Sequence, residues 1–154
     1  NFVTRKITIG IAEILARKRS KIYLGNLDAK RDWGHAKDYV VGMWKILQHS
    51  KPDDFVLSTG EAFSVRQFVE TAFSFVNIKI KWQGKGENEK GIDASSGKTL
   101  VKVDKQYYRP LDVNYLCGDS SKAKKALNWN CKFSFKDLVN EMVMNDLKRN
   151  NLEL

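Results

Sequence analysis

An α/β fold is predicted for this chain from three observations: amphipathic helical segments, short apolar segments between them, and turn or capping residues at their junctions. Residues 2–18 carry apolar side chains every three or four positions, which predicts a helix with one buried face. Residues 21–24 then predict a short strand that ends at Gly25. Helices and strands that alternate in this order are typical of an α/β unit.

The next helix and strand are predicted to be largely apolar. The apolar positions of residues 35–48 follow one helical face, which we expect to be buried: Ala36, Tyr39, Val40, Met43, Trp44 and Leu47. Residues 54–58 predict a strand, with a loop at Thr59-Gly60 after it. A strand of this kind normally joins a parallel sheet, so we expect its partner strands outside this chain.

Capping residues mark the start of two further helices. Ser64 and Gln67 have the spacing of a capping box, and Ser134 with Asp137 has the same spacing before the last apolar helical segment. A short helix between these two is predicted to end at Leu127.

Two more strands are predicted at residues 79–82 and 99–103. The stretch between them, residues 84–98, is polar and rich in glycine, which predicts an exposed loop. Residues 91–99, at the end of that stretch, finish with Gly-Lys-Thr, but Ile92 stands where the first glycine of a phosphate-binding loop belongs, and a strand comes next instead of a helix. We therefore predict no phosphate-binding loop here.

Composition excludes several classes of protein. Of the 154 residues 42% are hydrophobic, which is enough to build a core, so general disorder is excluded. No run approaches the roughly 18 consecutive apolar residues of a membrane-spanning helix, so no membrane partner is expected. Cys117 and Cys131 form no C-x-x-C pair and cannot build a disulfide scaffold, which favours a reducing, cytoplasmic location.

The charge balance favours an anionic partner. Lys and Arg number 27 against 18 Asp and Glu, a net charge of +9. The densest basic run, residues 17–21, is interpreted as the cationic end of the first helix. A nucleic-acid-binding module is the less favoured alternative, because it needs exposed aromatic residues among its cations, whereas Trp44, Phe68 and Phe135 fall on apolar helix faces.

No complete active site is predicted. The sequence contains no G-x-G-x-x-G and no Tyr-x-x-x-Lys pair, so neither a dinucleotide fingerprint nor that catalytic pair is present. His35 and His49 have no partner at metal-ligand spacing, so no metal site is expected. His35 is better interpreted as a capping or structural residue at the start of a helix.

A diphosphate clamp is a hypothesis from the residues alone. Arg31 is predicted in a loop before a helix, Arg109 precedes a proline that favours extended backbone, and Lys6 lies near the edge of the first apolar stripe. Guanidinium groups bind phosphate oxygens in pairs of hydrogen bonds. Asp112 could accept hydrogen bonds from a ribose diol. The alternative is that these arginines are simply solvated.

Three stretches resemble the GDP-mannose 4,6-dehydratase family: residues 1–7 (Asn-Phe-Val-Thr-Arg-Lys-Ile), residues 25–40, which contain Arg-Asp-Trp-Gly-His-Ala-Lys-Asp-Tyr, and residues 107–110 (Tyr-Tyr-Arg-Pro). The likeness runs essentially end to end. That family belongs to the extended short-chain dehydrogenase/reductases. Its fold is an NADP-binding Rossmann domain followed by a smaller domain for the sugar nucleotide.

The resemblance implies that this chain is the C-terminal part of such an enzyme. The expected fold is the end of the Rossmann domain plus the smaller mixed α/β substrate-binding domain. Residues 1–154 would form the sugar-nucleotide-binding portion, with residues 35–60 contributing the last helix and strand of the Rossmann domain. The catalytic residues, most of the NADP site and the rest of the Rossmann domain are expected upstream. The full enzyme is expected to be a homo-oligomer.

Six residues carry over as the GDP-mannose site, none of them catalytic: Asn1, Val3, Lys6, Arg31, Arg109 and Asp112. The resemblance implies that Val3 contacts the nucleotide and that Lys6 bonds to the guanine or the diphosphate. Arg31 and Arg109 would neutralise the diphosphate. Asp112 would hold the ribose, although the family usually has Glu at that position.

The implied activity is that of an NADP-dependent lyase of the GDP-fucose pathway, which converts GDP-mannose to GDP-4-dehydro-6-deoxy-mannose. This chain would supply substrate binding and is expected to be inactive alone. Another nucleotide-sugar epimerase or reductase of the same superfamily remains an alternative, against which the Arg-Asp-Trp block argues.

Overall fold

The computed structural model describes residues 2–108 and 113–152. Its helices are α1 (Val3–Leu15), α2 (Ala36–Gln48), α3 (Val65–Ser74), α4 (Ser121–Leu127) and α5 (Phe135–Arg149). Its strands are β1 (Ile22–Leu24), β2 (Lys30–Arg31), β3 (Phe63–Ser64), β4 (Ile80–Gln83), β5 (Lys90–Asp93), β6 (Thr99–Val103) and β7 (Tyr115–Leu116). The predicted mixed α/β fold is confirmed.

The strands form two small mixed sheets. The larger has the order β1-β6-β5-β4, in which β1 pairs with β6 in parallel and the other neighbours are antiparallel. The smaller has the order β3-β2-β7, with β2 antiparallel to β3 and parallel to β7. Because β2 is the central strand, it brings the residues just before α2 next to the segment after residue 112.

The main core lies between the larger sheet and three helices. α1, α3 and α5 pack against one another, and α1 also packs on β1. Their inward faces exclude solvent completely at Ile11 on α1, Phe68 on α3 and Val143 on α5, and Val101 of β6 is equally buried. A smaller cluster lies beneath α2 and α4, where the Trp129 indole donates to the Asp38 carbonyl oxygen at 2.8 Å.

The predicted helix starts are confirmed at atomic level. Ser64 and Gln67 form a reciprocal capping box at α3, and Ser134 and Asp137 form another at α5. The His35 ring accepts a hydrogen bond from the Lys37 backbone N–H, so its interpretation as a capping residue is also confirmed.

The prediction of an exposed loop at residues 84–98 was wrong in its middle, at β5, whereas residues 84–88 and 95–98 are exposed. β5 lies within this stretch and pairs with both β4 and β6. Gly91 of β5 is buried, and Ile80 and Trp82 pack so closely that a Cβ at this position would crowd them. Glycine-rich composition hid the strand, since the pattern of alternating apolar residues is missing where backbone packs closely.

The face of α2 that was predicted to be buried is exposed instead. Val40, Met43, Trp44 and Leu47 leave 59–81% of their surface in solvent. The predicted strand at residues 54–58 is not formed either, since that segment pairs with no strand among the described residues. Trp44 is therefore not a core residue of this chain, whereas Phe68 is buried and Phe135 half-buried.

The first helix ends three residues earlier than the predicted residue 18, at Leu15. The backbone N–H of Arg17 donates to Ile14 and that of Lys18 donates to Glu13, which closes the helix in a Schellman arrangement. Arg17 occupies the left-handed position of that turn, with φ of 59°. The basic run therefore begins in the helix-ending turn, as its interpretation required.

Candidate functional site

A cavity of about 590 Å³ lies where the start of α1, the end of β1 and the turn after β6 meet. Three of the predicted site residues line it: Val3, Lys6 and Arg31. Trp33 and Tyr107 contribute aromatic walls. Lys6 and Arg31 bring two cationic side chains to this space. A cavity with that charge fits an anionic ligand.

Helix α1 sets the positions of Val3 and Lys6. Residues three apart lie on the same helical face, so both side chains reach the cavity. Lys6 is half-buried, and its Nζ atom lies 2.9 Å from the centroid of the Tyr107 ring. The predicted place of Lys6 at the edge of the apolar stripe is confirmed.

Arg31 lies in β2, not in the predicted loop. Its strand pairs with Phe63 on one side and Leu116 on the other, which fixes the backbone from both edges. Its Nη1 atom donates to the Val113 carbonyl oxygen at 2.6 Å and to the Lys30 carbonyl oxygen at 2.8 Å. The strands that pair with β2, β3 and β7, are both distant in sequence, so local sequence could not reveal that Arg31 lies in a strand.

Asp32 fastens the strand that carries Arg31. One carboxylate oxygen accepts from the backbone N–H and the hydroxyl of Thr59 at 3.0 and 2.6 Å, and the other accepts from the N–H of Gly60 at 3.0 Å and of Gly118 at 3.4 Å. Burial alone raises the pKa of Asp32, but these hydrogen bonds outweigh it and hold the pKa below its ordinary value. The ionised carboxylate therefore holds two distant loops against β2.

The other three predicted site residues, Asn1, Arg109 and Asp112, lie outside the described residues. The described residues on either side of the 109–112 segment are close to the cavity or to Arg31. Tyr107 lines the cavity, and Val113 accepts the hydrogen bond from Arg31.

Sequence reasoning missed Tyr107 and Trp33 as cavity residues. Trp33 packs edge-on against Phe68 and stacks on Phe135, with ring centroids 5.2 and 6.1 Å away. The one available indication was Gly25, directly after a predicted strand, since a glycine there permits close approach of another backbone. A Cβ on Gly25 would lie 2.1 Å from the Tyr107 carbonyl oxygen.

The described part of the chain offers neither a metal site nor a membrane-spanning helix. Residues 2–108 and 113–152 contain no group of three or more His, Cys, Asp or Glu side chains arranged to hold a metal ion. Over the same residues, every helix is too short or too polar to cross a bilayer.

A sequence model of the family described as GDP-mannose 4,6 dehydratase matches residues 1–142. The chain belongs to this family. It is 53% identical to the GDP-mannose 4,6 dehydratase of Dictyostelium discoideum over 147 residues, which cover 96% of this chain and 41% of that protein. The GDP-mannose 4,6 dehydratase of Homo sapiens is 53% identical, with 96% and 40% covered, and that of Sinorhizobium fredii is 52% identical, with 95% and 42% covered.

The chain spans about two-fifths of the length of these GDP-mannose 4,6-dehydratase relatives and corresponds to their C-terminal part. Solved structures support the fold. RMD from Pseudomonas aeruginosa, complexed with NADPH, is similar with a TM-score of 0.74 at 14% identity, covering 96% of this chain and 43% of that one. A dTDP-glucose 4,6-dehydratase from Bacillus anthracis, in complex with NAD, has a TM-score of 0.66 at 15% identity, with 95% and 40% covered. The fold is that of the C-terminal portion of an extended short-chain dehydrogenase/reductase.

Proposed function

We propose that the protein carrying this chain dehydrates GDP-mannose to GDP-4-dehydro-6-deoxy-mannose and that this chain binds the GDP part of the substrate. The observation that carries the proposal is the 590 Å³ cavity, which is lined by the cationic side chains of Lys6 and Arg31. The proposal is also supported by relatives at 53% identity that are named for this activity.

The cations of the cavity would bind the diphosphate. Lys6 offers a compact ammonium from α1, and Arg31 offers planar guanidinium donors from β2. We propose that Arg109 neutralises the diphosphate together with Arg31, and that Asp112 and Asn1 complete the site at the ribose and the nucleotide. Bonds of this kind, between charged groups, each contribute about 1.5–3 kcal/mol.

Remote binding energy is the contribution of this chain to the reaction. NADP, when bound, supplies hydride acceptance at C4 of the sugar and hydride return at C6. Its glycine motif is not in this sequence, so we propose that NADP is held mainly by residues upstream. Val3, Lys6 and Arg31 would hold the nucleotide, so that the sugar is fixed in a reactive orientation.

The exposed face of α2 supports an upstream domain as a partner. Val40, Met43, Trp44 and Leu47 form an apolar surface on one helix, which no described residue covers. The neighbouring segment 54–58 has strand-forming residues and no strand partner in the described chain. We propose that the upstream Rossmann half covers this face, that residues 35–60 complete that domain, and that the whole enzyme is a cytoplasmic homo-oligomer.

The proposal is tested with the protein that contains this chain and its upstream half. GDP-mannose with NADP should give a product that has lost water, and UDP-glucose should give none. Calorimetry with GDP should show binding that Lys6→Met weakens by at least about tenfold, the scale of a lost charge-assisted bond.

Lys125→Met is a matched control, because it removes the same charge from α4 and does not line the cavity. It should leave GDP affinity within about twofold of the parent protein. Equal losses from both variants would show that overall charge, not this cavity, attracts the nucleotide. Turnover of UDP-glucose alone would favour the alternative, a different nucleotide-sugar enzyme of this superfamily.

A further inference from the structure

We propose that Tyr107 is a positioning residue for nucleotide binding, whose ring holds the Lys6 ammonium at the wall of the cavity where a diphosphate would meet it. This inference rests on the proposed function, because it takes a nucleoside diphosphate as the ligand of the cavity. It assigns a role to a residue that carries neither the charge nor the hydrogen bonds of the clamp itself.

The contact between the two side chains is direct. The Nζ atom of Lys6 lies 2.9 Å from the centroid of the Tyr107 ring, which places the cation over the negative face of the aromatic system. Both residues line the same cavity. Among the described residues no carboxylate forms an ion pair with Lys6, so the ring is the group that orients its ammonium.

The position of Tyr107 is fixed by its own turn. Residues 105–107 form a single 3₁₀ turn, in which the Tyr107 N–H donates to the Asp104 carbonyl oxygen at 3.0 Å. The Asp104 carboxylate accepts from the Gln106 N–H at 2.9 Å, and the Asp104 N–H donates to the Leu24 carbonyl oxygen at 2.9 Å. The turn is therefore tied to the end of β1 before any ligand arrives.

Gly25 allows this turn to approach β1. A Cβ at residue 25 would lie 2.1 Å from the Tyr107 carbonyl oxygen and 2.7 Å from its carbonyl carbon, distances that real side chains do not adopt. Both atoms belong to backbone, which cannot swing away as a flexible side chain could. Gly25 and the turn that begins at Asp104 therefore fix the Tyr107 ring beneath the Lys6 ammonium; we call this arrangement the Tyr107 platform.

The Tyr107 platform lowers the conformational entropy that Lys6 loses when an anion binds. A free lysine side chain has many rotamers, and ordering it on a ligand costs conformational entropy. Lys6 is already half-buried and held on the ring, so part of that ordering has taken place before the nucleotide binds. The ammonium keeps its full charge, because a ring neutralises nothing.

The contact itself is tested by NMR on the ligand-free enzyme with carbon-13-labelled lysine. The ε-methylene protons of Lys6, identified by their loss in Lys6→Met, should shift upfield under the ring current of Tyr107. Tyr107→Leu should abolish the shift and Tyr107→Phe should keep it. A Lys6 signal at the position of an ordinary solvated lysine would overturn the proposal.

The role of the contact is tested by GDP titration of a double-mutant cycle. Tyr107→Leu should weaken GDP binding about fivefold, whereas Tyr107→Phe should stay within about twofold of the parent protein. In a Lys6→Met background, Tyr107→Leu should add less than about twofold, because the ring would have no ammonium to hold. A purely structural loss would be the same in both backgrounds and would overturn the proposal.

Tyr23→Leu is the matched control. It makes the same substitution on β1, where the tyrosine is 39% exposed, against 44% for Tyr107, and does not line the cavity. It should leave GDP affinity within about twofold. An enzyme that shows the Lys6 shift and binds no GDP would overturn the proposed function, and the positioning role with it. One that binds GDP equally well with Tyr107→Leu would overturn the positioning role alone.

Discussion

The Nη1 atom of Arg31 lies 2.6 Å from the carbonyl oxygen of Val113, which joins the central strand of the smaller sheet to the segment that enters β7. The arginine therefore does two things at once. It places a guanidinium group at the cavity, and it fixes the chain directly after residue 112. Arg31→Ala would remove both.

Arg31→Ala is expected to weaken GDP-mannose binding by about 1.5–3 kcal/mol in the complete enzyme, the scale of a hydrogen bond to a charged group. Arg31→Lys should recover only part of this loss, because an ammonium cannot reproduce the planar donor pair. Calorimetry with GDP-mannose measures both variants. Affinity equal to that of the parent protein in Arg31→Ala would remove Arg31 from the site.

Gly25→Ala is expected to destabilise the protein and to weaken GDP binding together, because the new methyl group meets the Tyr107 backbone. Overpacking of this kind costs about 1–3 kcal/mol. Thermal unfolding and GDP titration measure the two effects. Gly42→Ala is the control, because its Cβ would also crowd a neighbour, the Leu57 side chain at 2.6 Å, but it does not line the cavity and should leave GDP binding unchanged. Normal GDP affinity in Gly25→Ala would show that the turn at 105–107 does not shape the cavity.

Asp32 is expected to stabilise the fold in a pH-dependent way. Its pKa in the folded protein lies below the ordinary value of 3.8, so its contribution is fully present above that value and is lost as the pH falls through the lowered pKa. Asp32→Asn should therefore lower the free energy of unfolding at neutral pH. In acid, the difference in this free energy between the variant and the parent protein should become smaller. Urea melts at a series of pH values measure this, and a difference that is constant with pH would contradict it.

Arg17→Gly is expected to stabilise the protein by about 1 kcal/mol, since φ of 59° is strained for a residue with a Cβ and open to glycine. Arg17→Ala is the matched control. It removes the same guanidinium group but keeps the Cβ, so the melting temperature should not rise. A gain of equal size in both variants would show that charge, not backbone strain, limits stability there.

Trp44→Ala tests the proposed cover over α2. If an upstream domain buries this side chain, the substitution should destabilise the complete enzyme by about 3–5 kcal/mol, as for a large core aromatic residue. Met144→Ala, at a similarly exposed apolar residue on α5, should cost less than about 0.5 kcal/mol. Denaturant unfolding measures both. A small effect of Trp44→Ala would leave the apolar face of α2 without that partner.

Local chemistry made the helices predictable and long-range pairing made the site hard to predict. Ser64 and Gln67 lie three residues apart, so their capping box can be recognised from the local sequence alone. Arg31 is a strand residue because it pairs with β7, which lies far along the chain. The Tyr107 ring that contacts Lys6 belongs to a turn about a hundred residues further along the chain. The periodicity of α2 indicated an apolar face correctly, but periodicity does not say which residues cover such a face.

The parallel pairing of β1 with β6 determines at which stage of synthesis the cavity can form. β4, β5 and β6 are consecutive and can pair as soon as they are synthesised, whereas Ile22 must wait for Val101. A nascent chain that stops before β6 holds the lysine of α1 but has neither a partner for β1 nor the turn at residues 105–107. If this chain binds GDP as proposed, the nucleotide can therefore stabilise only the completed fold and not its early stages.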